Sequence, residues 1–421
     1  MIEIQEKHHC CGCGACAQAC PKGCISLVED EQGFLYPRVD KNLCVDCGLC
    51  ERVCPVLQQA IPHRPLHVYA AINPDEVVRM QSSSGGIFTM LAEYVIEAGG
   101  VVFGARFDEQ WEVMHDFTET KEGLAAFRGS KYVQSRIGDC YQEAKQFLQA
   151  GRQVLFSGTP CQIAGLKHFL CREYANLWTI DVVCHGVPSP LVWRRYLDAF
   201  LLRPKGAAGK NTVLSSLKCN PVLTGLNFRD KQTGWKKYGF VAMGKSAVKA
   251  DKNSVLSPNS QDITLLHETL DKNLFMQVFL KNLCLRPSCA NCPAKSGKSG
   301  SDIAVADFWG IHRYLPDWDD DKGTSLVLIN TDRGKAFFEQ VRHKIKYTEV
   351  PYEQALAGNP SIEHSIKETK YVSLFWKQFH TDGFAQIPAL LQKMKPNLLR
   401  KGVMLIKRDL YNCYRWIRKK R

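Results

Sequence analysis

The sequence predicts an α+β / α/β protein in two parts: a small cysteine-rich N-terminal domain, then a mixed, largely parallel α/β domain. Three observations carry this reading. Cysteines crowd the first 60 residues in two copies of one spacing. Beyond them, apolar runs of strand length alternate with helical segments, as in a parallel sheet covered by helices. With 421 residues, 45% of them hydrophobic and 23% charged, the chain has room for two or three domains with real cores. The expected domains are 1–60, 66–384 and a basic tail, 385–421.

The cysteine block is an internal repeat. CCGCGACAQACP (Cys10–Pro21) recurs as CVDCGLCERVCP (Cys44–Pro55), offset by 34 residues. Each half contains C-x2-C-x2-C-x3-C-P, the run of bacterial dicluster ferredoxins, in which the fourth cysteine ligates the other cluster. That assigns Cys10, Cys13, Cys16 and Cys54 to one 4Fe-4S cluster. Cys44, Cys47, Cys50 and Cys20 take the second. Gly12, Gly14 and Gly48 let backbone amides approach the sulfurs. A structural zinc site would favour two separated C-x2-C pairs instead. Cys11 and Cys24 fall off the spacing and read as small buried hydrophobes, and His8 and His9 as solvated.

IPHRP (Ile61–Pro65) closes the block with two prolines. Strands then follow at Gly100–Phe107, Gln153–Phe156, Trp178–Val183 and Asp302–Ala306. The second runs through SGTPC into a helix, and the third through CHGVPSP into another. Phe228–Phe240 reads as a hairpin turning near Thr233-Gly234, and Ser325–Asn330 with Thr331–Val341 as a strand and helix. Residues 245–262 carry no pattern and read as a surface loop.

Cysteines recur at the ends of these strands: Cys161 after the second, Cys184 after the third, and Cys289 and Cys292 in LRPSCANC. Neighbouring strands of a parallel sheet share one carboxyl edge, where ligands bind. A third 4Fe-4S cluster on these four is one reading; buried thiols with a zinc knuckle are the other, and Cys284 competes as a ligand. Cys140, Cys171, Cys219 and Cys413 have no partners in sequence. His185 and Asp307 share the same edge by position, with a structural role the plainer reading, so no catalytic residue is assigned.

RMQSSSGG (Arg79–Gly86) leads into a helix with apolar positions 87, 91 and 95. Such a start either cradles phosphates through its backbone amides or is simply an N-cap. GSKYVQS (Gly129–Ser135) offers a lysine and a tyrosine to a phosphate or a ring, or is an edge without a ligand. No GxGxxG occurs, so a Rossmann nucleotide site has no support.

Net charge is +13, yet Ala385–Arg421 holds eleven Lys or Arg against the single acid Asp409. The body is therefore nearly balanced, and no nucleic-acid role is expected. Leu398–Arg421 interleaves basic residues with Leu, Val, Ile, Tyr and Trp, as interfacial helices do. Peripheral membrane contact stands there beside a helix packed on the body or a partner. Nineteen cysteines without an apolar leader point to metal or redox work in the cytoplasm. No run of about 18 apolar residues could span a membrane.

SSSGG, GSKYVQS, FSGTPCQIAGL, CHGVPSP, LRPSCANC and SDIAVADFWG, in this order over residues 66–345, resemble one family. It is that of the β subunit of the hydrogenase reducing coenzyme F-420, a deazaflavin, with formate dehydrogenase β subunits and the plant hydroxymethyl-chlorophyll reductase. The resemblance implies FAD beside a 4Fe-4S cluster, with Cys161, Cys184, Cys289 and Cys292 at the matching positions. It places Ser83, Ser84, Gly85, Gly86, Lys131, Tyr132 and Thr159 around the flavin. Here the dicluster block is fused in front, and the basic tail lies outside the shared region.

The expectation is an iron–sulfur flavoprotein. It would pass electrons from a one-electron donor such as reduced ferredoxin to FAD, then to a two-electron acceptor, the deazaflavin or another small organic molecule. The alternative is an electron-transfer subunit without a substrate site of its own, acting with a partner enzyme.

Overall fold

In the computed structural model, which describes residues 1–202, 222–245, 247–250, 253–256 and 262–395, each half of the cysteine repeat turns into a short helix at a glycine. Gly14 (φ 74°) precedes α1 (Ala15–Ala19), and Gly48 (φ 70°) precedes α2 (Leu49–Arg52). Both occupy the left-handed region, where a Cβ would be strained. Between the helices, β1 (Ile25–Glu29) and β2 (Leu35–Val39) pair antiparallel.

The remaining strands are β3 (His67–Ile72), β4 (Val101–Phe107), β5 (Val113–Thr118), β6 (Val154–Gly158), β7 (Leu177–Val182), β8 (Val222–Asp230), β9 (Gly239–Lys245), β10 (Ala247–Ala250), β11 (Asn253–Leu256), β12 (Ile263–Thr269), β13 (Ile303–Asp307), β14 (Ser325–Ile329) and β15 (Lys346–Glu349). Eight of them form one sheet in the order β15-β3-β14-β13-β7-β6-β4-β5. Parallel pairing is confined to its centre, β4-β6-β7-β13. The flanks are antiparallel because β13 returns as β14 without a crossover helix, and parallel neighbours need one. The sheet is thus mixed around a parallel centre.

Helices cover both faces: α3 (Glu76–Gln81), α4 (Ile87–Glu97), α5 (Cys140–Gln149), α6 (Pro160–Leu170), α7 (Pro190–Leu197), α8 (Leu274–Leu280), α9 (Asp332–Val341) and α10 (Tyr352–Gly358) belong to the unit Met1–Val372. Side chains of β4 and β6 alternate between two cores. Val101, Phe103, Val154 and Phe156 pack with Ile163 and Leu166 of α6. Val102 and Leu155 face the other way, onto Leu91 and Val95 of α4 and Phe337 of α9. Burial on both faces explains why these strands read as continuous apolar runs. The cysteine block joins the first core through Cys11, Cys13, Ala15 and Val53.

The hairpin read at Phe228–Phe240 is β8 and β9, turning at Gly234 (φ 95°) and extended by β12. The reading of 245–262 as a surface loop is corrected: β10 and β11 pair antiparallel within it. That segment lacks the apolar alternation that marks a half-buried strand, so no strand is legible there from residue pattern alone. A second unit, Ser373–Arg421, contains most of α11 (Val372–Asp382) and all of α12 (Ile387–Lys393). Cys219, Cys413 and the basic segment Leu398–Arg421 lie outside the described residues, and no described helix is long and apolar enough to cross a membrane.

Candidate cluster and cofactor sites

The first cysteine set converges as its spacing requires. Cys16 is buried and its thiol is pushed up to about 12, first by desolvation and then by Cys10 and Cys54 beside it. Cys13 faces Cys16 and Cys54. In the second set, Cys20, Cys44, Cys47 and Cys50 line one pocket together with Cys24, Lys22 and Gly48. Backbone amides already point at its sulfurs, Ile2 N at 3.3 Å from Cys50 Sγ and Asp46 N at 3.4 Å from Cys44 Sγ. Cys24 is buried, as its reading as a small hydrophobe implies, with Sγ 3.3 Å from Cys20 Sγ. The two sets differ in setting. In the first set Cys13, Cys16 and Cys54 are buried and Cys10 is half-buried; in the second Cys50 is buried, Cys20 and Cys44 are half-buried, and Cys47 is exposed beside exposed Leu43 and Val45.

The four cysteines of the α/β domain also meet. Cys161 sits in the first turn of α6, which a Thr159–Gln162 capping box starts. Cys184 follows β7, and Cys289 and Cys292 flank the end of the turn Pro287–Asn291. Burial pushes Cys184 up to about 12, Cys161 and Cys292 add to this, and the Lys295 ammonium opposes it. Burial likewise raises Cys289, with Cys184, Cys161 and Cys292 its neighbouring thiols. Cys284 stands apart. It is fully buried, held up at about 12 by desolvation, and none of these thiols is among its neighbours.

Helix α6 brings the first and third sets together. Four residues past Cys161, Gly165 presses against Cys13 so closely that a Cβ would lie 2.8 Å from Cys13 Cβ and 3.0 Å from its Sγ. One turn of helix rises about 5.4 Å, so Cys161 and the contact with Cys13 lie within one turn of α6. Cys11, read as a small hydrophobe, is buried in the same apolar cluster as Cys13, with Cys161 packed against it.

One residue of this region has no counterpart in the motif reading. Arg286, 1% exposed, runs its guanidinium beneath the first cysteine loop. It donates to Cys10 O at 2.7 Å, Gln134 Oε1 at 2.9 Å, Leu35 O at 2.9 Å and Cys10 Sγ at 3.4 Å, and lies 4.3 Å over the Tyr36 ring. Gly12 (φ 72°) accommodates it: a Cβ there would stand 2.7 Å from the guanidinium. Its place just before P-S-C-A-N-C is the only sequence signal that could have found it.

The positions around SSSGG gather at the carboxyl end of β13. Ser83 Oγ is 2.8 Å from Ser130 Oγ, and Ser84 Oγ donates to Thr324 O at 2.9 Å. Gly85 is wedged against the backbone of Ala71 and Ser325, with no room for a Cβ. Gly86 (φ 81°) starts α4 without a side-chain cap, so its first amides stay available. Lys131 donates to Ala126 O and Arg128 O. Thr159 Oγ1 is 3.3 Å from Cys161 Sγ. Tyr132 Oη accepts from Arg229 at 3.3 Å, and Arg229 also donates to Ser83 O at 3.1 Å and pairs with Asp307 at 2.8 Å. Arg229 is 3% exposed, and its Nε is buried without a hydrogen-bond partner. His185 Nε2 lies 2.7 Å from Asn282 Oδ1, its ring packs edge-on against Phe279, which also packs on Tyr132, and burial lowers its pKa.

Comparison with known proteins places these motifs. A 4Fe-4S dicluster domain matches residues 9–57. The N-terminal part of the coenzyme F420 hydrogenase/dehydrogenase beta subunit matches residues 68–139, and the C-terminal part matches 151–355. No curated protein matches the sequence. Among solved structures, a chain of the F420-reducing NiFe hydrogenase complex from Methanosarcina barkeri is similar at 16% identity and a TM-score of 0.43, over 72% of this chain and 90% of that one. The family matches run through the SSSGG region and the four-cysteine region described above, and the dicluster match covers the cysteine repeat. The chain therefore belongs to the coenzyme F420 hydrogenase/dehydrogenase beta-subunit family, with a 4Fe-4S dicluster domain in front.

Proposed function

We propose that this chain is an iron–sulfur flavoprotein oxidoreductase that takes single electrons from a donor such as reduced ferredoxin and delivers them in pairs to a small organic acceptor, the deazaflavin coenzyme being one candidate. The convergence of Cys161, Cys184, Cys289 and Cys292, next to the first dicluster set through α6, carries the reading. Four thiolates suit a cubane, whose ligation in such sites is by cysteine. The donor set alone suits zinc equally, which the experiment below separates.

The SSSGG region supports FAD. An 11-residue helix with an uncapped N-terminus and a buried, unpartnered Arg229 Nε are features a phosphate or an isoalloxazine edge would satisfy. Ser83, Ser84, Gly85, Gly86, Lys131, Tyr132 and Thr159 would hold it. A flavin supplies the exchange between one-electron and two-electron chemistry. The chain's own residues keep the surroundings dry and fixed. Trp235 Nε1 and Arg229 hold the Asp307 carboxylate, and the Trp235 and Trp309 rings stack at 4.5 Å beside it.

Exposed Cys47 with Leu43 and Val45 around it favours a second reading, an electron-transfer subunit that docks a redox partner at this end. Anaerobic purification followed by iron, sulfide, zinc and flavin quantitation tests the proposal. About twelve irons with one flavin support it. About eight irons without flavin refute the flavoprotein reading, and about eight irons with one zinc assign the third set to zinc.

A further inference from the structure

Arg286 is a cation with no anion. Its hydrogen bonds go to two backbone carbonyls, an amide oxygen and one thiol, and two aromatic rings, Tyr36 at 4.3 Å and Phe34 at 5.4 Å, flank it. Among the described residues it forms no ion pair with a carboxylate. Removing an uncompensated charge from water is among the costliest acts in a protein interior, so a permanently buried guanidinium implies a counter-charge nearby. The nearest groups that can supply it are cysteines. Arg286 hydrogen-bonds Cys10 O and Cys10 Sγ, and its own carbonyl accepts from Cys289 N at 2.9 Å. It therefore lies between the first set and the third.

We propose that Arg286 is the built-in counter-charge of the cluster held by Cys10, Cys13, Cys16 and Cys54, and that it raises this cluster's reduction potential above that of the outer cluster. Four thiolates on a 4Fe-4S core leave a net negative charge. One-electron reduction adds one more unit, with no proton or bond change needed for balance. A fixed positive charge favours the more negative, reduced state. A charge-assisted hydrogen bond to Cys10 Sγ acts in the same direction, since hydrogen bonds to the sulfurs and local charge set these potentials. Among the described residues the outer set has no such buried cation, and the Lys22 beside it is exposed. The amine of Met1 near it is paired with Asp46 and Glu51 at the surface. Electrons are thus drawn inward from the exposed cluster, toward α6 and Cys161. The inward destination rests on the three-cluster reading proposed above. The effect on the Cys10 set rests only on the dicluster domain.

The test is a dithionite titration with redox mediators, followed by electron paramagnetic resonance, on wild type, R286Q and R286K. In R286Q the inner cluster should become harder to reduce by about tenfold or more, 59 mV for one electron, while the outer cluster is unmoved. R286K keeps the charge and should stay within about threefold of wild type. Full iron content with both potentials unchanged in R286Q overturns the proposal. If R286Q loses iron, R286K decides: retained iron means the site needs charge, whereas equal loss means Arg286 is packing only, which overturns it. About eight irons in wild type would remove the third cluster and leave this measurement intact.

Discussion

His115 is 2% exposed on β5 and anchors a chain of hydrogen bonds that reaches α6. Gln162 Nε2 donates to Ser135 Oγ at 2.9 Å, Ser135 Oγ lies 2.9 Å from His115 Nδ1, and His115 Nε2 lies 3.0 Å from Ser157 O. Ser157 O can only accept, so Nε2 carries the proton and Nδ1 accepts from Ser135. Burial pulls the imidazole from 6.5 down to about 4, the Ser157 carbonyl opposing this and Lys131 adding to it. A base depressed in the folded state costs stability wherever the unfolded chain alone binds the proton. Its contribution is therefore complete above pH 6.5 and disappears as pH falls toward 4. The drop from 6.5 to about 4 sets a ceiling of about 3 kcal/mol. Between pH 7 and pH 5 the loss is about 2 kcal/mol. Urea unfolding of the wild type and H115Q at pH 7, 6 and 5 measures it. H115Q should be less stable at pH 7 and show a flatter pH dependence. Equal slopes in the two proteins would refute the argument, because the imidazole would then not be the group that titrates.

Three further outcomes follow from packing and charge. G165A sets a helix-propensity gain of about 1 kcal/mol against overpacking of about 1–3 kcal/mol where a Cβ would stand 2.8 Å from Cys13. The variant should therefore be less stable in denaturant and should lose iron from the first set. Asp302, fully buried, accepts from Thr179, Thr331 and Arg333, so D302A should cost about 3–5 kcal/mol in thermal or urea unfolding while spectra of the surviving folded protein keep their iron bands. R229Q should cost about 3 kcal/mol by stranding Asp307. The R229Q/D307N double variant should lose clearly less than the two single losses combined, as a double-mutant cycle in urea would show.

Much of this architecture is legible without coordinates because it is local. The C-x2-C-x2-C-x3-C-P runs announce their own chemistry, and β4, β6, β7, β13 and β14 fall where apolar runs end in turns. The antiparallel flanks were not legible, since pairing direction depends on whether a crossover helix intervenes. Neither was Arg286, which lies 276 residues from Cys10 and whose meaning depends on the absence of an acid nearby. The relay through His115 joins Ser135, Ser157 and Gln162, each unremarkable in its own segment. The side chains around SSSGG were found as a motif. That Gly85 serves close backbone approach, and that Lys131 is engaged by carbonyls, required the fold.

The two cysteine sets share one spacing but not one depth: Cys13, Cys16 and Cys54 of the first are buried, while Cys47 of the second is exposed and only Cys50 of that set is buried. Damage should then come in stages. Peroxide or a chelator reaches Cys47 before it reaches Cys13 or Cys16, so the outer centre is dismantled while the inner one still ties the block to α6. Under oxidative stress the molecule would stay folded after losing its outer centre, leaving a partly metallated protein that can be rebuilt from outside with iron and sulfide.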